Sequence, residues 1–498
     1  MNVYLLYPDR DFDPEQELPS SVDDLTQDLE LTTLFKAMAQ GDKLLSKVAQ
    51  RVVLSSLDSP DVIRFRQEVL KDCLNHPNVI QQIYQITLQS IENKKKNWMG
   101  IFTRYPSGIL SSARAMLEMF IGLLGNLRQI ADENAERFES EGFRRFFAMI
   151  QYELDNEFFT VASTHLKELK FRGGVMMSAE LGKGNEGTAY ILRKNDKEQH
   201  WFERLFGLNP NEYSYNLHPR DDHGARALGD LRDRGVNLVA NAVAQSSDHI
   251  DSFFNVLRTE LAFYLSCLNL SEQLTQLGET FVFPKPAPAS QRRFTCTGLY
   301  DAALALTMNH KVIGNDVIAD GKELVIITGA NQGGKSTFLR SVGQAQLMMQ
   351  CGMFVPADSF SANLCSQLFT HFKREEDASM ISGKFDEELS RMSIIIDEVK
   401  PDGMILFNES FAATNEREGS EIARQITSAL LEKRIKVFFV THLYELANSY
   451  YKRQMENAIF LRAERKASGE RTFKLIEGQP LETSFGKDVF EIVFGTND

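Results

Sequence analysis

One stretch restricts the architecture more than any other: Thr328-Gly329-Ala330-Asn331-Gln332-Gly333-Gly334-Lys335-Ser336-Thr337. The apolar run Leu324-Val325-Ile326-Ile327 before it predicts a buried strand, and Phe338-Leu339-Arg340-Ser341-Val342 after it opens a helix. A strand, a glycine turn and a helix in that order make a chance glycine cluster a poor explanation. From Gly329 to Ser336 the spacing is G-x-x-x-x-G-K-S, the P-loop pattern. Backbone N–H groups converge on phosphate oxygens in such a turn, and a side chain at Gly333 or Gly334 would obstruct it. The N-terminus of the following helix adds its dipole to the anion site. Gly329, Asn331, Gly333, Gly334, Lys335, Ser336 and Thr337 are therefore the expected nucleotide cradle, with Lys335 on the terminal phosphates and the Ser336 hydroxyl on magnesium.

Such a site needs a second strand to bring an acid beside the metal, and Met404-Ile405-Leu406-Phe407-Asn408-Glu409 fits a buried strand ending there. Glu409 is the expected general base toward water. Asn408 stands where an aspartate normally holds the magnesium shell; an amide can bond coordinated water but brings no negative charge. A third strand, Ile435–Val440, ends at Thr441-His442, where His442 can orient water or sense the terminal phosphate. Glu409, His442 and Lys335 form the expected catalytic set.

The cradle, Met353-Phe354-Val355-Pro356-Ala357 one helix later, Asn408-Glu409 followed by Thr414 and Gly419, and Thr441-His442-Leu443-Tyr444-Glu445-Leu446 together resemble the ATPase domain of the MutS family, from about Lys311 to Leu446 and more weakly to Gly486. Upstream, Asp61-Val62-Ile63-Arg64-Phe65-Arg66-Gln67 is similar to the family's lever and core region. The resemblance implies an ABC-type fold, ATP with Mg2+, and a homodimer in which each nucleotide is closed by the partner's signature segment. The matching stretch runs from Glu376 to Phe385, with Ser382 and Gly383 in the family's Ser-Gly place and the usual following Ser-Thr missing. It also implies DNA or another structured nucleic acid held by helical levers, and puts Val317 about where the family stacks an aromatic on adenine. Lever-like sequence begins within about 25 residues of the N-terminus, so mismatch recognition of the usual kind is not expected, and the closing segment Thr483–Asp488 leads to no expected nuclease domain.

The expected fold is an α/β P-loop domain over 289–498, preceded by a mainly α-helical core and lever domain over 25–280 and a loosely held acidic arm over 1–24. Within the helical domain, residues about 171–194 read as a β-hairpin around Gly182-Lys183-Gly184-Asn185-Glu186-Gly187, a G-x-G-x-x-G match without a following helix. Phe281–Pro288, with three prolines, marks the boundary. At 498 residues and a formal net charge of −13, the chain is not built to coat nucleic acid non-specifically, so any such contact must be local. Lys94-Lys95-Lys96-Asn97-Trp98, Phe102, Arg104 and Tyr105 read either as a solvated helix end or as a phosphate- and base-contacting surface, and His218, Arg220, His223 and Arg226 form a polar cluster with no assigned role.

Five cysteines without C-x-x-C spacing, no signal-peptide pattern and no charge-free run of 18 apolar residues predict a cytoplasmic protein without a membrane span. Two readings stand at this point: an ATPase coupled to nucleic acid, and an ATP-binding clamp with little hydrolysis that regulates a protein or nucleic-acid partner.

Overall fold

A computed structural model describes residues 1–97, 105–172, 174–194, 216–374, 383–465 and 471–481. These form two compact units. One holds residues 1–3, 78–138 and 143–258; the other holds 4–77, 139–142 and 259–498. The units thus part within 25–280, not at the proline run.

The first unit is mainly helical. Its helix Pro106–Asn134 is long and apolar enough, by length and composition, to cross a membrane. Its buried residues Leu110, Ala113, Leu117, Phe120, Leu124, Leu127 and Ala131 repeat at three and four, the pattern of a helix with one face in a core. Strands β1 (Met177–Leu181) and β2 (Gly187–Leu192) pair antiparallel, and the glycine-rich hexamer is their turn. Gly184 sits at φ +74° and the Gly182 N–H donates to the Glu186 carbonyl at 2.8 Å. Val175, Leu192, Leu169 and Phe171 pack on Leu110, Val236 and Ala240.

Among its described residues the second unit carries ten strands: β3 (Lys285–Ala287), β4 (Phe294–Leu299), β5 (Asn315–Ile318), β6 (Leu324–Thr328), β7 (Ser359–Asn363), β8 (Leu368–Phe372), β9 (Met404–Asn408), β10 (Lys436–Val440), β11 (Ala458–Arg465) and β12 (Arg471–Glu477). A six-stranded sheet runs β12-β11-β6-β10-β9-β8, parallel except for β12, and a four-stranded sheet runs β3-β7-β4-β5. Every residue of β6, β8 and β10 is buried, as expected where both faces of a parallel sheet are covered. Leu324, Ile326, Phe369, Ile405, Phe407, Val437 and Phe439 make the core there. The apolar runs of β6, β9 and β10 leave the ends of these strands to carry polar chemistry.

Residues 1–24 are not a loosely held arm. Leu5, Leu6 and Phe12 are buried, and the Glu260 carboxylate takes the backbone N–H groups of Leu5 (2.7 Å), Leu6 (3.1 Å) and Phe12 (2.8 Å). Arg66, itself buried, donates to the Leu6 carbonyl and to that of Cys351. The acidic, proline-marked composition hid a short apolar segment whose backbone donors are satisfied by one distant side chain. Burial pushes the Glu260 carboxyl up to about 7, against the opposing pull of the three donors. A carboxyl raised in the folded state stabilises below its ordinary value, and that contribution is lost as pH rises through 7. Thermal unfolding of the wild type is expected to fall in midpoint between about pH 4.5 and 7. Glu260→Gln flattens this profile, and Glu260→Ala, which strands three buried donors, costs about 3 kcal/mol or more.

Candidate functional site

The loop after β6 turns through Gly329 (φ +114°), Gln332 (φ +60°) and Gly334 (φ +86°) before the helix Lys335–Gln350. The glycines are required by their surroundings. A Cβ on Gly333 would lie 2.7 Å from the Ala463 Cβ and 3.0 Å from the Ala330 carbonyl oxygen, and one on Gly334 would lie 3.2 Å from the Phe473 carbonyl oxygen. Ala463 and Phe473 belong to the hairpin β11–β12, so that hairpin packs directly on the loop. Lys335 is buried and its Nζ donates to the Gly329 and Ala330 carbonyls, both at 2.9 Å. Burial lowers its ammonium to about 8, with the Glu409 charge pulling the other way. Asn331 is exposed, and Thr337 is half-buried on the first turn.

Three strand ends meet at this loop. Val440 pairs with Ile327 of β6 and with Asn408 of β9, and the Thr441 N–H donates to the Ile327 carbonyl. The Ser336 hydroxyl donates to Asn408 Oδ1 at 2.8 Å. Glu409 sits at φ +55° with its N–H on the Val440 carbonyl, and its carboxylate lies 2.8 Å from His442 Nε2. That hydrogen bond holds the Glu409 carboxyl below its ordinary range, over the opposing effect of burial, with help from the charges of His442, Lys335 and Lys373. Lys335, Ser336, Asn408, Glu409 and His442 are thus brought together by strands far apart in sequence.

Gly383 caps the helix Lys384–Glu398 in an exposed position, and Ser382 lies outside the described residues, as do Glu376–Met380 and Thr483–Asp488. Val317 cannot stack on a base. It is 3% exposed on β5, whereas its neighbour Ile318 is 73% exposed, because alternate residues of this strand face opposite ways. Of the cationic stretch, Lys94 is paired with Asp251 at 2.7 Å, Tyr105 is exposed, and Trp98, Phe102 and Arg104 lie outside the described residues. His218, Arg220, His223 and Arg226 are not among any metal-holding group, none being found in the described residues.

Sequence reasoning missed three contributors. Arg471 donates to Gln332 of the loop, and Phe473, at φ +57° and exposed, lies against Gly334. Nothing in their local pattern marks them, since a hairpin comes to the loop only through its pairing with β6. Behind Glu409, the buried His371 lies 2.8 Å from Ser410 Oγ and 2.9 Å from the Glu388 carbonyl oxygen, and burial lowers its imidazole to about 4.

The arrangement suits a triphosphate. The loop leaves the space that side chains at 333 and 334 would fill, a helix N-terminus faces it, and one lysine is held at its base. For magnesium, the Ser336 hydroxyl and the Asn408 amide oxygen are oxygen donors of the right kind, but neither carries charge.

Two family profiles match the chain: the MutS2 N-terminal domain over residues 58–277 and MutS domain V over residues 325–496. The chain belongs to the MutS family. Among curated relatives, "MutS protein homolog 4" of Mus musculus is 29% identical over 201 residues, 39% of this chain and 21% of the mouse protein. "DNA mismatch repair protein MutS" of Thermotoga sp. (strain RQ2) is 30% identical over 212 residues, 42% of this chain and 26% of that protein. The human "MutS protein homolog 4" is 27% identical over 253 residues, 47% of this chain and 27% of its own length. The match therefore spans about a quarter of the length of these MutS relatives, and domain V holds all the strand ends described above.

Two outcomes are expected of this site. Gly333→Ala weakens nucleotide binding by about tenfold or more, and Ala463→Gly in the same chain restores part of the loss, both read by direct titration. Because burial holds Lys335 at about 8 in the free chain and a bound polyanion raises it, binding of nucleotide kept fully ionised by excess magnesium takes up roughly half a proton at pH 8 and far less at pH 6.5. Titration calorimetry in buffers of different ionisation enthalpy measures this.

Proposed function

We propose that this MutS-family chain binds and hydrolyses ATP as a homodimer, in the cytoplasm, and couples the nucleotide to DNA or another structured nucleic acid through its helical portion. The observation that carries the reading is the Glu409–His442 pair at the ends of β9 and β10, beside Lys335 and Ser336. In this reading domain V, within an ABC-type P-loop domain over 289–498, is the ATPase, and the mainly helical 25–280 forms the core and levers.

Gly329, Asn331, Gly333, Gly334 and Thr337 cradle the phosphates, and Lys335 leaves its loop carbonyls for the terminal phosphate. Glu409, kept ionised by His442, accepts a proton from the attacking water, and His442 orients the pair. Magnesium, held beside Ser336 and Asn408, would neutralise phosphate charge when bound. Phe473 offers an exposed apolar face against the loop for the base. Gly383, with Ser382, would close the partner's nucleotide in trans. Five free, buried cysteines fit a reducing compartment.

Asn408 favours a second reading, a clamp that holds ATP, scarcely hydrolyses it and regulates a protein or nucleic-acid partner. Retention of Glu409 with an orienting histidine favours hydrolysis, because a clamp has no use for a base. Steady-state ATP turnover, measured with duplex, branched and single-stranded nucleic acid, separates the two. The expected result is stimulation by one of these, with Glu409→Ala lowering turnover by about 100-fold while leaving ATP binding intact, and His442→Ala lowering it by about tenfold. Bound ATP without turnover under every condition would establish the clamp.

A further inference from the structure

At the position where a P-loop site carries an acid for its metal, this chain has a neutral pair. The Ser336 hydroxyl donates to Asn408 Oδ1 at 2.8 Å, and neither partner bears charge. The acid next to it in sequence, Glu409, is paired with His442 at 2.8 Å. Among the described residues no group of three or more His, Cys, Asp or Glu could hold a metal ion. Cations are present: Lys335 at the base of the loop, and Lys373, exposed at the end of β8 with its backbone N–H on the Asn408 carbonyl at 2.9 Å. The charge of Lys373 reaches Glu409, which it helps keep ionised.

An aspartate at 408 would serve two purposes in such a site. It would draw a divalent cation, and it would repel a triphosphate that arrived without one. With asparagine both effects vanish. We infer that Asn408 frees nucleotide binding from magnesium, so that this chain takes up metal-free ATP about as well as the magnesium complex, with the Ser336–Asn408 pair standing at the metal position and Lys335 and Lys373 meeting the phosphate charge. The inference rests on the nucleotide reading of the same loop. It concerns binding only: the cation still has a place in hydrolysis, where charge builds on the leaving group.

Direct titration of ATP into the full chain, in excess EDTA and in excess magnesium, tests it without any turnover. The expected affinities agree within about threefold for the wild type, and Asn408→Asp weakens metal-free binding by about tenfold or more while magnesium restores it. A wild-type affinity more than about tenfold weaker in EDTA would overturn the inference and leave the nucleotide site standing. So would an Asn408→Asp chain, folded by its unfolding midpoint, whose two affinities match those of the wild type. Absence of ATP binding in both buffers would instead overturn the nucleotide reading itself, and the inference with it.

Discussion

The register of β10 is the constraint on which the site depends. Val440 faces Ile327 on one side and Asn408 on the other, and all three strands run parallel. Their C-terminal ends therefore open at one level, where the loop after β6, the Asn408-Glu409 pair and Thr441-His442 meet. A slip of one residue would turn Asn408 and Glu409 to opposite faces and separate Ser336 from its partner. With both faces of β6 and β10 buried, the packing of individual side chains, rather than an alternation of polar and apolar residues, holds that register. Packing in the sheet and geometry at its edge are one problem solved once.

Strain gathers at the same edge. Glu409 and Phe411 both adopt positive φ, at +55° and +62°, without being glycine, and Gln332 does so in the loop opposite. Non-glycine residues hold such angles only where neighbours over-determine them. Here the neighbours are identifiable: the Glu409 N–H on Val440, the Phe411 N–H on the Glu388 carboxylate at 3.0 Å, and Ser410 between them beside His371. The turn after β9 is thus braced from β8 and β10 together, which fixes the direction of one carboxylate.

What could be read from the sequence followed chain proximity. The cradle from Gly329 to Thr337, the strand carrying Asn408 and Glu409, and the strand ending at His442 each announce themselves within ten residues, and all come together. The β1–β2 hairpin was legible because its turn glycines sit between two alternating runs. That Val317 is buried was not legible, since strand alternation decides which of Val317 and Ile318 is exposed and a short strand gives little pattern to set its phase. Arg471 and Phe473 were silent because a partner across a sheet leaves no local mark. The N-terminal residues were misread for the same reason: Glu260 is some 250 positions away, as the span of its bonds to Leu5, Leu6 and Phe12 shows.

That last distance has a consequence for how the chain is made. Leu5 and Leu6 are made long before Glu260, the partner of their backbone donors, and the Arg66 side chain that holds Leu6 also needs the carbonyl of Cys351. At about 5–20 residues per second, the interval between synthesis of the two ends of that contact is on the order of tens of seconds. Throughout it the apolar segment stays solvent-exposed, with water in place of the Glu260 carboxylate on its backbone donors. Leu5, Leu6 and Phe12 are therefore held only once Glu260 has been made, so this part of the second unit closes late relative to its own synthesis.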